Sequence, residues 1–142
     1  MAAALYTPEV LALATGLSAF RLDDTLPDRS EARSRSCGSS LTLGWLLDEE
    51  GHVVRIGLRS QACAIGQASA AIFAQTAVGR RVEDIQATAQ AVATWLAGEG
   101  ALPDWQGIAT IAAARDYPGR HGALMLPWNA ASQLLSTRAT AG

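Results

Sequence analysis

Residues 40–59 constrain the fold of this chain more than any other stretch. Over 40–47 the apolar side chains Leu41, Leu43, Trp45 and Leu47 recur at every second position, which places them in one row on one face of a strand. Asp48-Glu49-Glu50-Gly51 then reads as a turn, with Gly51 free to take a positive φ. The alternation resumes over 53–59, with Val54, Ile56 and Leu58 on one face. An isolated hairpin with one apolar face is marginal in water, so the rest of the chain must supply its cover.

Cover is available on both sides. After Cys63 the period changes from strand to helix: residues 64–77 are rich in Ala, with Ile65, Ile72 and Phe73 as larger anchors. A second helix is predicted over 82–97, with Val82, Ile85, Ala89, Val92 and Leu96 on one face, stopped by Gly98-Glu99-Gly100. A third, near 105–114, carries Trp105, Ile108 and Ile111, and Pro118-Gly119 interrupts the chain again. A last helix runs through Leu124 and Leu126 to Leu135, with Pro127 either kinking or restarting it. At the other end, Thr7-Pro8-Glu9 combines a Thr N-cap, Pro at the first helical position and an acid near the positive end of the helix dipole. Val10, Leu13 and Leu17 follow at helical spacing. Residues 22–30 read as a loop and 31–36 as a polar edge strand. The order predicts an α+β domain spanning 1–142: an N-terminal helix, then a small antiparallel three-stranded sheet packed against C-terminal helices.

Composition supports a folded chain and narrows the function classes. Of 142 residues, 49% are hydrophobic and 17% charged, the balance of a domain with a real core. The net charge is −2 and no basic block occurs, so nucleic acid is not an expected partner. Residues 60–79 carry no formal charge and match a membrane span in length, but they include Gln61, Gln67, Ser69, Gln75 and Thr76 and read as a buried helix. No Lys or Arg precedes Arg21, so a basic leader is not expected. A soluble cytoplasmic protein without a membrane association is the expectation, as a monomer or weak homodimer.

The chemistry centres on the two cysteines. Cys37 and Cys63 flank the hairpin, and a hairpin brings its ends together. Cys63 directly precedes the Ala-rich helix, whose N-terminal amides and dipole favour a thiolate. At Cys37, Gly38 allows close backbone approach. Two thiols at one site make half of the tetrahedral set usual for zinc or an iron–sulfur cluster. Residue chemistry leaves a second reading open, since free Cys is often a small buried hydrophobe. A disulfide between the two is disfavoured in a cytoplasmic chain.

Several ordered motifs carry a family resemblance. Tyr6-Thr7-Pro8-Glu9-Val10-Leu11, then Cys37-Gly38-Ser39, then Ala62-Cys63-Ala64-Ile65-Gly66-Gln67-Ala68-Ser69-Ala70, and finally Arg120-His121-Gly122-Ala123 with Leu126-Pro127-Trp128, resemble in order the motifs of the iron–sulfur cluster assembly scaffolds of the NifU N-terminal, IscU and SufU type. The resemblance implies their fold and a place in cluster assembly, with a cysteine desulfurase as partner and zinc or a transient [2Fe–2S] cluster held by three cysteines and an aspartate. Two departures follow from the same alignment: the aspartate position is Ser39 and the third cysteine position is Ala123. Cys37 and Cys63 are then the remaining ligands, and His121, an imidazole two positions before Ala123, is a poor substitute because a helix would point it elsewhere. His52 reads as a solvated turn residue. Trp45, Trp95 and Trp105 read as core anchors, and Trp128, in the family-like segment, as a cover for the site.

Three functions remain in view. The first is a scaffold that binds iron, [2Fe–2S] or zinc weakly through two cysteines. The second is an acceptor of persulfide sulfur at Cys37, the position that takes this role in some family members. The third is a non-catalytic regulatory pseudo-scaffold. None makes the chain an enzyme beyond a sulfur-transfer accessory.

Overall fold

Gly44 and Gly57 face each other across the two longest strands, and the space left by their missing side chains is filled from outside the sheet. A Cβ on Gly44 would lie 2.7 Å from Leu22 Cδ1, and one on Gly57 would lie 2.5 Å from the Arg21 carbonyl oxygen. The segment 21–26 therefore crosses the middle of one sheet face. The computed structural model describes residues 5–34 and 38–141. Its sheet runs β1 (Asp28–Arg33), β2 (Ser40–Leu47), β3 (Val53–Gln61), in that spatial order and antiparallel throughout. Among the described residues the α-helices are α1 (Pro8–Gly16), α2 (Ala64–Ala77), α3 (Val82–Leu96), α4 (His121–Leu124) and α5 (Leu126–Ala141).

The expected N-cap is present: Thr7 Oγ1 accepts the Val10 N–H at 3.2 Å, and Pro8 opens α1. The chain then passes through a 3-10 turn, Leu17–Ala19, to β3, where Leu58 N–H donates to the Phe20 carbonyl at 2.8 Å. The edge strand exists but begins earlier than the 31–36 expected, at Asp28 within the stretch read as loop. Its polar residues gave little periodicity. Its position comes from pairing with β2 and from α5, whose Ala130 carbonyl accepts the Ser30 hydroxyl at 2.6 Å.

The inner sheet face carries Leu41, Leu43, Trp45, Ile56 and Leu58, all buried. A bulge at Leu46/Leu47 shifts the register near the turn, so Leu47 pairs with Val53 and Val54 becomes the extra residue. Val53 is buried and Val54 is 46% exposed, which corrects the expectation that Val54 shares the apolar face. Gly51 takes φ +86° in the turn. His52 is half-buried rather than fully solvated, with Nδ1 3.1 Å from the Asp48 carboxylate.

Helices α2 and α5 pack on the inner face, with α1 against α2 and α3 against α5. The Ala-rich α2 is buried on most of its circumference, as small side chains on all sides permit. On α3 the buried row is Val82, Ile85, Ala89, Val92 and Trp95, with Trp95 in the place expected of Leu96. The segment expected as a helix near 105–114 is instead a kinked 3-10 stretch, Ile108–Asp116. Pro127 restarts the last helix: α4 ends at Leu124, and Pro127 sits in the first turn of α5, where its missing N–H costs nothing. Among the described residues no helix is long and apolar enough to cross a membrane.

Candidate functional site

The ladder continues past β1, β2 and β3 at the end of the sheet opposite the 48–51 turn. Ser34 N–H donates to the Ser39 carbonyl at 2.8 Å, Gly38 N–H donates to the Ser34 carbonyl at 3.2 Å, and Ser40 pairs with Gln61. Gly38 adopts φ +70°, the left-handed region that glycine takes without strain. Two residues beyond Gln61, Cys63 is the N-cap of α2, with extended backbone at φ −65° and ψ 172°. Its carbonyl accepts the Gln67 N–H at 3.0 Å, and Gln67 Nε2 returns to the Ala62 carbonyl at 3.0 Å, closing the first turn. Cys63 is half-buried against the core and is a free thiol. Cys37 lies outside the described residues.

Ala123 reaches this same end from α4. A Cβ built on Gly66, one turn into α2, would lie 3.3 Å from the Ala123 Cβ. Ala123 is fully buried and Ser39 is 6% exposed. Ala123 thus lies against Gly66, which follows Cys63 in the first turn of α2, while Ser39 precedes Ser40, the residue that pairs with Gln61 at the same end of the sheet. His121 sits elsewhere. Two residues before Ala123 on a helix, it is turned by about 200°. Its Nε2–H donates to the Arg115 carbonyl at 2.8 Å, and it lines a groove with Ala93 and Leu96 of α3 and the capping Ala97.

Trp128 does not cover the site. It stands edge-on to Phe73 and Trp105, with ring centroids 4.9 Å away in both cases, and those two rings stack at 5.9 Å. Phe73 lies ten residues along α2 from Cys63, about 15 Å at helical rise. The cluster belongs to the core: Trp105 Nε1–H donates to the Ile72 carbonyl at 3.0 Å, and Arg80 lies over Trp105.

At the positions that the resemblance makes ligands, the described residues offer one thiol at Cys63, one neutral hydroxyl at Ser39 and one methyl at Ala123. A methyl cannot ligate, and a hydroxyl is a far weaker donor than a carboxylate for iron or zinc. No three His, Cys, Asp or Glu side chains gather into a metal-sized cluster among the described residues. One structural contributor escaped sequence reasoning. Ser69 is buried in α2, and its hydroxyl donates to the Leu124 carbonyl at 2.6 Å, fixing the α4–α5 junction that carries Ala123. The signal was a polar residue in an otherwise apolar helical stretch.

Known proteins share this fold. The family model described as the NifU-like N-terminal domain matches residues 20–122. The iron-sulfur cluster assembly scaffold protein IscU of Thermotoga maritima is 28% identical over 109 residues, which is 74% of each chain. The crystal structure of a nitrogen-fixing NifU-like protein (N-terminal) from Brucella abortus superposes with a TM-score of 0.85 at 24% identity, over 97% of this chain and 96% of that one. That of a putative iron-sulfur cluster assembly scaffold protein for the SUF system from Fervidobacterium islandicum AW-1 gives 0.82 at 21% identity, over 91% and 95%. These two structures share the α+β fold derived above.

Proposed function

The chain belongs to the NifU-like N-terminal domain family, a family of iron–sulfur cluster assembly scaffolds, and on that premise we propose that it is a scaffold-like protein with a depleted ligand set. Its cargo is iron, a [2Fe–2S] cluster or zinc, held weakly by Cys37 and Cys63. The remaining ligands come from a partner or a dimer mate, and a cysteine desulfurase is the expected partner in assembly. The observation that carries this reading is the placement of Ala123 against the first turn of α2, beside Cys63, where it offers no donor. Retention is correspondingly poor: even losses around intact ligands cost about 10- to 100-fold in metal affinity, and loss of ligands costs more.

The same absence favours a second reading. With no thiol at position 123, sulfur transfer falls to Cys37. Its thiolate attacks the outer sulfur of a desulfurase persulfide, forms the new S–S bond and releases the desulfurase cysteine as thiolate. A protein with neither activity that still docks on the desulfurase would be a regulatory pseudo-scaffold.

Iron and zinc content after anaerobic purification tests the first reading. Wild type is expected to hold substoichiometric metal that a chelator strips readily, and Cys37→Ser and Cys63→Ser to hold none. Equal metal in all three proteins would overturn it. Mass spectrometry for one added sulfur on Cys37, after incubation with a desulfurase and cysteine, separates the second reading. Co-purification with a desulfurase without metal or added sulfur would leave the regulatory one.

A further inference from the structure

The two edges of the sheet are finished differently. On β3 the chain covers its own edge: Leu58 N–H donates to the Phe20 carbonyl at 2.8 Å, Val53 N–H to the Arg80 carbonyl at 3.0 Å, and Gly79 N–H to the Val53 carbonyl at 2.8 Å. Along β1, no segment among the described residues pairs with the outer edge. The bond from Ser34 N–H to the Ser39 carbonyl makes these two a hydrogen-bonded pair. Such pairs recur at every second residue of an antiparallel ladder. Asp28, Ser30 and Ala32 therefore bond to β2, while Arg29, Glu31 and Arg33 direct their N–H and C=O groups outward. Below this edge, Ala32 and Arg33 share an open hollow of about 370 Å³ with Asn129, Ser132, Gln133 and Ser136, along one flank of α5.

We infer that this hollow is a docking site for an extended segment of a partner protein, added to β1 as a fourth strand. Strand addition needs an open row of main-chain donors and acceptors, and here the row has a helix flank as its floor. The charges specify the segment. Arg29, Glu31 and Arg33 share the outer face, and a residue directly opposite on an added strand lies on that same face. The complement is therefore acid, base, acid at every second position. The Glu31–Arg33 pair, at 2.8 Å, is exposed, and Arg29 is held by the Leu26 carbonyl at 3.3 Å and only loosely by Asp24 at 3.6 Å, so all three charges remain to be met. The intervening side chains turn toward α5, where the Asn129 amide and Ser132 hydroxyl offer donors and acceptors to small polar groups. A second copy of the chain fits less well. The Ala130 carbonyl accepts the Ser30 hydroxyl at 2.6 Å, which puts α5 under β1. Strands pair about 4.8 Å apart, so edge-to-edge copies would bring two α5 helices nearer than the about 8–10 Å that packed helices need.

The test uses the whole chain and a fluorescein-labelled, end-capped peptide of threonines with glutamate, lysine and glutamate at alternate positions. Fluorescence anisotropy is expected to show saturable binding. The charge-reversed peptide, with lysine, glutamate and lysine, should bind about tenfold more weakly. Glu31→Pro removes an outward N–H and no bond to β2, and it should weaken binding of the first peptide about tenfold. Amide hydrogen exchange on wild type gives a readout that does not depend on a variant folding. With peptide, exchange at Arg29, Glu31 and Arg33 should slow, while Ser30 and Ala32, already bonded to β2, stay as they are. No saturable binding, equal binding of the two peptides, or unslowed exchange at the three outward amides would overturn the assignment. Protection of the same three amides by concentration alone, with a dimer in sedimentation, would overturn it in favour of a second copy. The assay reads neither metal nor sulfur, so its failure is distinct from failure of the scaffold reading.

Discussion

Gly66 of α2 and Ala123 of α4 meet with almost no space to spare: a Cβ added to Gly66 would lie 3.3 Å from the Ala123 Cβ and 2.7 Å from the Ala62 Cβ. This contact sets the separation between the helix that Cys63 caps and the segment that carries Ala123. Gly66→Ala gains about 1 kcal/mol of helix propensity but overpacks this junction at about 1–3 kcal/mol. A net loss of up to about 2 kcal/mol is expected by urea denaturation. Adding Ala62→Gly, which removes the 2.7 Å conflict, should recover part of it.

Filling the two ligand positions proposed as vacant should exchange apo stability for metal affinity. Ser39→Asp with Ala123→Cys places a carboxylate and a sulfur where the protein now buries a hydroxyl and a methyl. The apo double variant should melt below wild type, because a buried charge and a larger side chain both cost stability there. Zinc should bind it more than about tenfold tighter than wild type, or ~1.4 kcal/mol, by competition with a zinc dye. Excess zinc should raise its melting temperature by mass action. A folded double variant with unimproved zinc binding would show that position 123 is not the vacant ligand position.

The Ser69 hydroxyl holds the Leu124 carbonyl in the interior, at the break between α4 and α5. Ser69→Ala removes the donor and leaves that carbonyl without this partner. A loss of about 1–3 kcal/mol is expected in chemical denaturation. Because the bond anchors the segment bearing Ala123, amide exchange over residues 121–125 should quicken with it.

Asp48 closes the β2–β3 turn by accepting the His52 N–H at 2.8 Å and the Glu50 N–H at 2.9 Å. These bonds, the one from His52 first, hold its carboxyl below the ordinary value. A carboxyl with a lowered folded pKa contributes stability above its unfolded pKa and loses it as pH falls through the folded one. Asp48→Asn should therefore melt below wild type near neutrality. The two melting temperatures should converge as pH drops below about 4.

The sequence by itself determined what local period can carry. Alternation delivered β2 at its full extent, Ser40–Leu47, and the change of period after Cys63 delivered α2 as Ala64–Ala77. Thr7 and Pro8 defined the start of α1, because a cap is satisfied within one turn of chain. Tertiary structure alone decided the rest. Val53 rather than Val54 is buried because a bulge absorbs one residue and because Val53 exchanges backbone hydrogen bonds with Gly79 and Arg80. The edge strand lies at Asp28–Arg33 because β2 and α5 hold it there; its own polar residues specify no register. Trp128 turned to Phe73 and Trp105 because the largest apolar surface available to it lay mid-helix, away from Cys63. The meeting of Ala123 with Gly66 joins residues 57 positions apart through the packing of α4 on α2. No local pattern encodes that meeting, since it depends on how closely two helices of small side chains can approach.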